Sequence, residues 1–153
     1  MIDFGAVEFS QQLLVIINAA IAAVLGSAIG WERDRAGKSV GPRTMALVGA
    51  SAAAIVNIGQ ILDVNAKYGD PTRAMHAIMT GIGFLGAGLI FQTRDSGTKG
   101  VTTAATVFAT AAMGCAVGLG FQLASVGLTL IILIVLRSTH VLEITANRHH
   151  EDE

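Results

Sequence analysis

Apolar positions along this chain do not alternate with polar ones; they gather into long uncharged runs, and charge is confined to the gaps between them. No Asp, Glu, Lys or Arg falls between Glu8 and Glu32, between Arg43 and Asp63, between Arg73 and Arg94, or from Val101 to Leu136. An α-helix rises about 1.5 Å per residue, so about 20 apolar residues are needed to cross about 30 Å of hydrocarbon. The first three runs predict spans over 12–31, 44–62 and 74–92. As a single helix the fourth would measure about 54 Å, far beyond the hydrocarbon core. It is expected to fold back at Gly118-Leu119-Gly120, where two glycines weaken the helix and permit a turn, leaving spans over 101–117 and 121–136. The predicted fold is all-α: a polytopic bundle of five transmembrane helices over residues 1–137, followed by a short polar tail over 138–153. His149, His150 and the closing Glu151-Asp152-Glu153 are expected to be solvated and disordered.

Composition agrees. The chain is 52% hydrophobic and 14% charged, against about a quarter charged in a soluble domain. Its 18 glycines lie largely inside the apolar runs, where they read as helix packing rather than as flexible linker. A net charge of -1 and the lack of a basic stripe exclude the electrostatic footprint of a nucleic-acid binder. The single cysteine, Cys115, sits in an apolar segment and reads as a small hydrophobe. The first run is expected to stay attached, because Asp3 and Glu8 precede it and no basic residue does.

Basic residues orient the bundle, since loops rich in lysine and arginine stay in the cytoplasm. Arg33, Arg35, Lys38 and Arg43 separate runs one and two, Arg94 and Lys99 separate three and four, and Arg137 and Arg148 follow five. Only Lys67 and Arg73 fall on the other side, accompanied by Asp63 and Asp70. The N-terminus is therefore expected outside and the C-terminus in the cytoplasm.

Small residues four apart form packing pairs at Gly26 and Gly30, Gly83 and Ala87, and Gly114 and Gly118. Gly81, Gly83, Gly86 and Gly88 crowd the third run. They fit either a smooth groove for another helix or a discontinuous helix whose freed carbonyls line a polar cavity. Glu32 beside the first span calls for a cationic partner, with Arg33, Arg43 and Arg94 available on the same side. Thr102, Thr103, Thr106 and Thr110 bring hydroxyls into the membrane, which either bond the carbonyl one turn back or, at Thr102 and Thr103, help bind an anion or line an aqueous path. Asn18, Asn57, Gln60, His76 and Gln122 are the remaining polar positions. Asn18, in mid-span, is the most costly of them, and each reads first as an interhelical hydrogen bond. No nucleophile and base, no zinc-ligand spacing and no intramembrane carboxylate pair is present, so neither enzymatic chemistry nor a metal or other cofactor is expected.

Three blocks, Gly30-Trp31-Glu32-Arg33 through Gly41-Pro42-Arg43-Thr44, Gly81 to Gly88, and Gly100-Val101-Thr102-Thr103-Ala104-Ala105, closely resemble in content and order the signatures of the MgtC/SapB family. The resemblance spans nearly the whole chain. It implies a multi-pass protein of the bacterial inner (cytoplasmic) membrane with a role in magnesium homeostasis and in adaptation to acid or intracellular stress. MgtC-type members are thought to modulate other membrane machinery rather than carry magnesium themselves. Glu32, Arg33, Arg43, Thr44, Gly81, Gly83, Gly86, Gly88, Thr102 and Thr103 fall on family motif positions. Longer members follow the membrane domain with a soluble cytoplasmic one, whereas 17 residues follow Leu136 here, so this chain is expected to be the membrane module alone. Two functions stand side by side. One is a modulator embedded in the lipid bilayer that acts by helix contacts with another membrane protein, or as a homo-oligomer with a dimer favoured. The other is a small oligomeric ion or solute transporter with polar faces built from Asn18, Thr102, Thr103 and the glycine string.

Overall fold

The computed structural model describes residues 8–66, 70–93 and 97–148. Among these it is helical throughout except for one small hairpin: α1 Phe9–Arg35, α2 Pro42–Ala66, α3 Pro71–Leu89, β1 Phe91–Thr93, β2 Gly97–Lys99, α4 Val101–Gly118 and α5 Gln122–Arg148. The third helix begins at Pro71, with proline at a position where its missing N–H costs nothing. It ends at Leu89, short of the span expected over 74–92, and the residues that follow pair as an antiparallel hairpin, Phe91 opposite Lys99, so that Phe91 and Gln92 lie in a strand rather than in the helix. The last helix runs on past Leu136 to Arg148, so most of the polar tail continues it. Lys67, Arg94, His149 and His150 lie outside the described residues.

Successive helices run in opposite directions. Gly26 and Gly30 of α1 abut Met45 and Pro42 at the start of α2, while Gly49 lies against Ala22, so the two are antiparallel. Gly114 and Gly118 of α4 meet Gly49 and Ala53 in the same order along the chain, so α4 runs parallel to α2. Gly59 contacts Pro71 and Ala74, and Gly86 contacts Ala104, which sets α3 antiparallel to both. The turn from α4 to α5 falls at Leu119–Phe121, with Gly120 at φ 86° as the foldback required.

The centre of the bundle is α4, which packs against all four other helices. Its interior face is made of small residues, with Ala104, Ala111, Gly114, Gly118, Thr103, Thr106 and Thr110 all buried. Val107, Met113 and Val117 are buried beside them, and Ile29, Met45 and Val56 of the neighbouring helices are buried too, but many other large apolar side chains point outward: Phe84 is 81% exposed and Leu123 87%, with Leu47, Ile16, Phe121 and Ile134 also exposed. A soluble protein does not display so much contiguous apolar surface, whereas lipid solvates such surface and leaves close backbone approach to hold the helices together. Among the described residues three helices are long and apolar enough to cross a membrane: α1, α2 over Pro42–Asp63, and α4; the apolar stretch of α5, Gln122–Ser138, is shorter. The molecule is an all-helical membrane protein.

Candidate functional site

The first signature block closes the end of the bundle where α1 stops and α2 begins. A 27-residue helix carries Glu32 and Arg33 in its final turns, and Gly37 at φ 67° then reverses the chain. Gly30 lets this reversal lie flat on α1: a side chain there would fall 2.5 Å from the Pro42 Cα and 2.7 Å from the Gly41 oxygen. Arg33 is thereby only 4% exposed. Its Nε sits 3.1 Å from Glu32 Oε2, but neither atom has an aligned hydrogen-bond partner. Neighbouring residues on a helix point in different directions, so the pair gains attraction without good geometry. Such an incompletely satisfied buried pair is unusual and marks this end as a candidate site. Of the partners foreseen for Glu32, Arg33 is the one beside it; Arg43 and Thr44 are exposed at the start of α2. Arg35 lies over the exposed Trp31 ring, 5.4 Å from its centroid, an arrangement suited to a headgroup boundary.

The third block opens α4 at the same end. Gly100, at φ 90°, precedes it, and a Cβ there would collide with the Leu89 carbonyl, so glycine is required twice over. Thr102 is exposed and Thr103 buried. Deeper in, the Thr106 hydroxyl donates to the Thr102 carbonyl at 2.7 Å and Thr110 to the Thr106 carbonyl at 2.8 Å, the back-bonding that lets threonine enter a membrane helix. The Thr110 hydroxyl also lies 3.4 Å from Met45 Sδ.

Of the two forms foreseen for the glycine string, the broken helix is absent. Helix α3 is continuous from Pro71 to Leu89, so no broken helix exposes carbonyls here. Nor do these glycines receive another helix of the same chain: a Cβ at Gly81, Gly83 or Gly88 would meet nothing within 4 Å, and only Gly86 touches a neighbour, the Ala104 methyl at 3.7 Å. Of the three small-residue pairs, Gly26 with Gly30 and Gly114 with Gly118 are seams inside the bundle, while Gly83 and Ala87 face outward. Two apolar hollows flank this face. One of about 460 Å³ lies between Leu47, Ser51, Ile55, Ala77 and Gly81, and the other, about 410 Å³, between Thr44, Val48, Phe84 and Gly88.

At the opposite end a buried polar layer joins four helices in two pairs, α2 with α4 and α1 with α5. Asn57 Nδ2 donates to the Gly118 carbonyl at 3.0 Å, and Gln122 Nε2 donates to Asn18 Oδ1 at 2.9 Å. Asn18 is thus an interhelical hydrogen bond. His76 is exposed, its carbonyl accepting from the Thr80 hydroxyl. Ser125 and Thr129, buried on α5, bond back to Phe121 and Ser125; sequence reading passed over them because a hydroxyl satisfied within its own helix leaves no pattern. Asp70 caps α3, accepting from the Thr72 and Arg73 N–H groups, and the Thr72 hydroxyl and backbone together hold its carboxyl below the usual carboxylate range. Among the described residues no three His, Cys, Asp or Glu side chains converge as metal ligands. The sequence-predicted positions therefore separate into an ionic end with Glu32, Arg33, Arg43, Thr44, Thr102 and Thr103, an open α3 face, and a distant amide layer that includes Asn18.

Comparison with known proteins gives one consistent outcome. The model of the MgtC family matches residues 19–144. The chain is 35% identical over 132 residues to the "Putative magnesium transporter YhiD" of Escherichia coli K12, covering 83% of this chain and 61% of that protein. It is 31% identical over 129 residues to Protein SapB of Bacillus subtilis (78% and 54%) and 32% identical over 155 residues to Protein MgtC of Salmonella typhimurium LT2 (89% and 65%). It thus spans between 54 and 65% of these relatives' own lengths. No solved structure matches. The family match covers the ionic end, the glycine face and the amide layer apart from Asn18, and the chain belongs to the MgtC family.

Proposed function

We propose that this chain is a five-span protein of the bacterial inner membrane, N-terminus outside, that modulates another membrane protein in magnesium homeostasis and stress adaptation, docking it on the open face of α3. The carrying observation is that a side chain at Gly81, Gly83 or Gly88 would meet nothing within 4 Å among the described residues. Each glycine in a helix costs about 0.8–1 kcal/mol relative to alanine. The glycines of α1, α2 and α4 offset that by letting backbones meet, and those of α3 do so only once another helix lies on them. The prominent Phe84 beside them offers an anchor.

Helices α3 and α5 complete the five crossings, and the alternation of helix directions supports the orientation. It gathers Arg33, Arg35, Lys38, Arg43 and Lys99 at one end, the arrangement the positive-inside rule assigns to the cytoplasm. Residues 1–137 form the membrane module in this reading. The names of the relatives from Escherichia coli and Salmonella support the link to magnesium. The first of these names also keeps direct transport in play, and flux decides between the two.

Purified protein in liposomes should conduct neither Mg²⁺, H⁺, K⁺ nor phosphate. In cells lacking the gene, Gly83→Leu should fail to restore growth in low magnesium although the variant accumulates and folds. Flux that disappears in Glu32→Ala or Thr103→Val would overturn the modulator reading in favour of a pathway, as would full complementation by Gly83→Leu.

A further inference from the structure

At the end of the bundle away from Trp31, α1, α2 and the start of α3 line an open cavity of about 430 Å³, with Gln11, Asn57, Gln60 and Asp63 supplying its polar atoms and Leu14 and Ile61 part of its apolar wall. Asn57 is 3% exposed. Its amide orientation is fixed, because only the NH₂ arm can face the Gly118 carbonyl it bonds at 3.0 Å. The other arm, Oδ1, is therefore a buried acceptor, and it has no hydrogen-bond partner. Buried carbonyl oxygens in native proteins are nearly always paired, so this one calls for a donor.

The charge of the lining narrows what the donor is. Asp63 contributes a carboxylate, Gln60 an amide, and no described residue lining the cavity is basic. The Gln11 oxygen already accepts from the Glu8 N–H at 3.3 Å. An anion would face the carboxylate without a counter-charge, and an apolar guest would leave Asn57 Oδ1 unpaired. Direct chelation of a divalent ion is disfavoured as well, since no three acidic, His or Cys side chains converge among the described residues. A strongly hydrated ion needs only one or two carboxylates when it keeps its water. Six waters occupy about 180 Å³ in the liquid, which this cavity accommodates.

We infer that this cavity is a site for a small hydrated cation, held through its water by Asp63, Gln60 and Asn57. The assignment goes beyond the modulator reading and does not depend on it, for a chain that conducts nothing and a chain that transports would both present it.

The test uses the full chain, isotopically labelled, in nanodiscs of zwitterionic phosphatidylcholine, so that lipid headgroups do not compete for the cation. Side-chain amide resonances of Asn57 and Gln60 are followed while MgCl₂, or hexaamminecobalt(III) chloride, is added at constant ionic strength. The ammine complex imitates a hydrated ion but cannot surrender its ligands. Both titrants should shift the two amides saturably, while the Asn18 and Gln122 amides stay in place and report an intact fold. Asp63→Asn should raise the midpoint at least tenfold, and Asp34→Asn, exposed at the other end, should leave it unchanged. A linear shift shared by all side-chain amides, or an unaltered midpoint in Asp63→Asn, would overturn the site. A response to MgCl₂ with none to the ammine complex would overturn binding through the hydration shell.

Discussion

The same substitution, glycine to alanine, should have opposite consequences at Gly118 and Gly81. A Cβ at Gly118 would lie 2.5 Å from the Ala53 carbonyl oxygen and 3.1 Å from its Cα. Ordinary contact begins at 3.4 Å, so α2 and α4 would have to part by about 0.9 Å against backbone atoms that cannot rotate away. Overpacking of this kind costs about 1–3 kcal/mol. Separation would also stretch the 3.0 Å bond from Asn57 to the Gly118 carbonyl, worth about 1 kcal/mol, so Gly118→Ala should lose about 2–4 kcal/mol. At Gly81 nothing lies within 4 Å, and replacing a mid-helix glycine should gain about 0.5–1 kcal/mol. Equilibrium unfolding in mixed dodecylmaltoside and dodecyl sulfate micelles, at a dilution that keeps the chain monomeric, measures both. Stability of Gly118→Ala within about 0.5 kcal/mol of the parent would refute the packing argument. A loss at Gly81→Ala would show that its face is occupied even in the isolated chain.

Three further perturbations bear on the polar layers. Arg33→Gln leaves Glu32 without its counter-charge at a position 12% exposed and should cost about 3 kcal/mol; the double variant Glu32→Gln, Arg33→Gln should recover most of it in the same unfolding assay, and no recovery would refute the pairing. A double-mutant cycle of Asn18→Leu and Gln122→Leu should give a coupling of about 0.6 kcal/mol, the usual value for a hydrogen bond between membrane helices; additive effects would remove that bond from the account. Because the Asp70 carboxyl is held low, its cap on α3 is fully present above the ordinary value of 3.8 and is lost as pH falls through the lower folded value. The Thr72 and Arg73 amide resonances should therefore titrate with a midpoint below 3.8, and a midpoint above it would contradict the cap.

Much of the helix arrangement was legible because it follows from length and charge, which are one-dimensional. The foldback at Gly118-Leu119-Gly120 could be placed because 36 uncharged residues from Val101 to Leu136 exceed any single crossing. Helix ends were less legible. Leu89 ends α3 and the next residues form β1, although Ile90, Phe91 and Gln92 are as uncharged as the helix before them. Gly100 crosses over the Leu89 carbonyl where the helix ends, a contact made across eleven residues of chain that no local pattern announces. Helix α5 also extends into the polar tail for a related reason. Ser138 to Arg148 has no glycine or proline to end a helix already under way, so α5 continues through it.

The candidate site was legible in its members and not in its partners. Glu32 and Arg33 could be named because charge beside a span is rare, and Asn18 because an amide in mid-span must be bonded. That the bond goes to Gln122, 104 residues away, is a fact of packing alone. The glycines make the same point more sharply, since Gly114 and Gly83 stand in indistinguishable small-xxx-small spacings. One is pressed against the Gly49 backbone and the other faces outward. Spacing tells that a helix can be approached closely, and only the fold tells whether its own chain does the approaching. The outward face is informative because of that comparison: a bundle that uses glycine where α1, α2 and α4 meet has also placed it, at the same energetic cost, at Gly81, Gly83 and Gly88, where no described helix reaches.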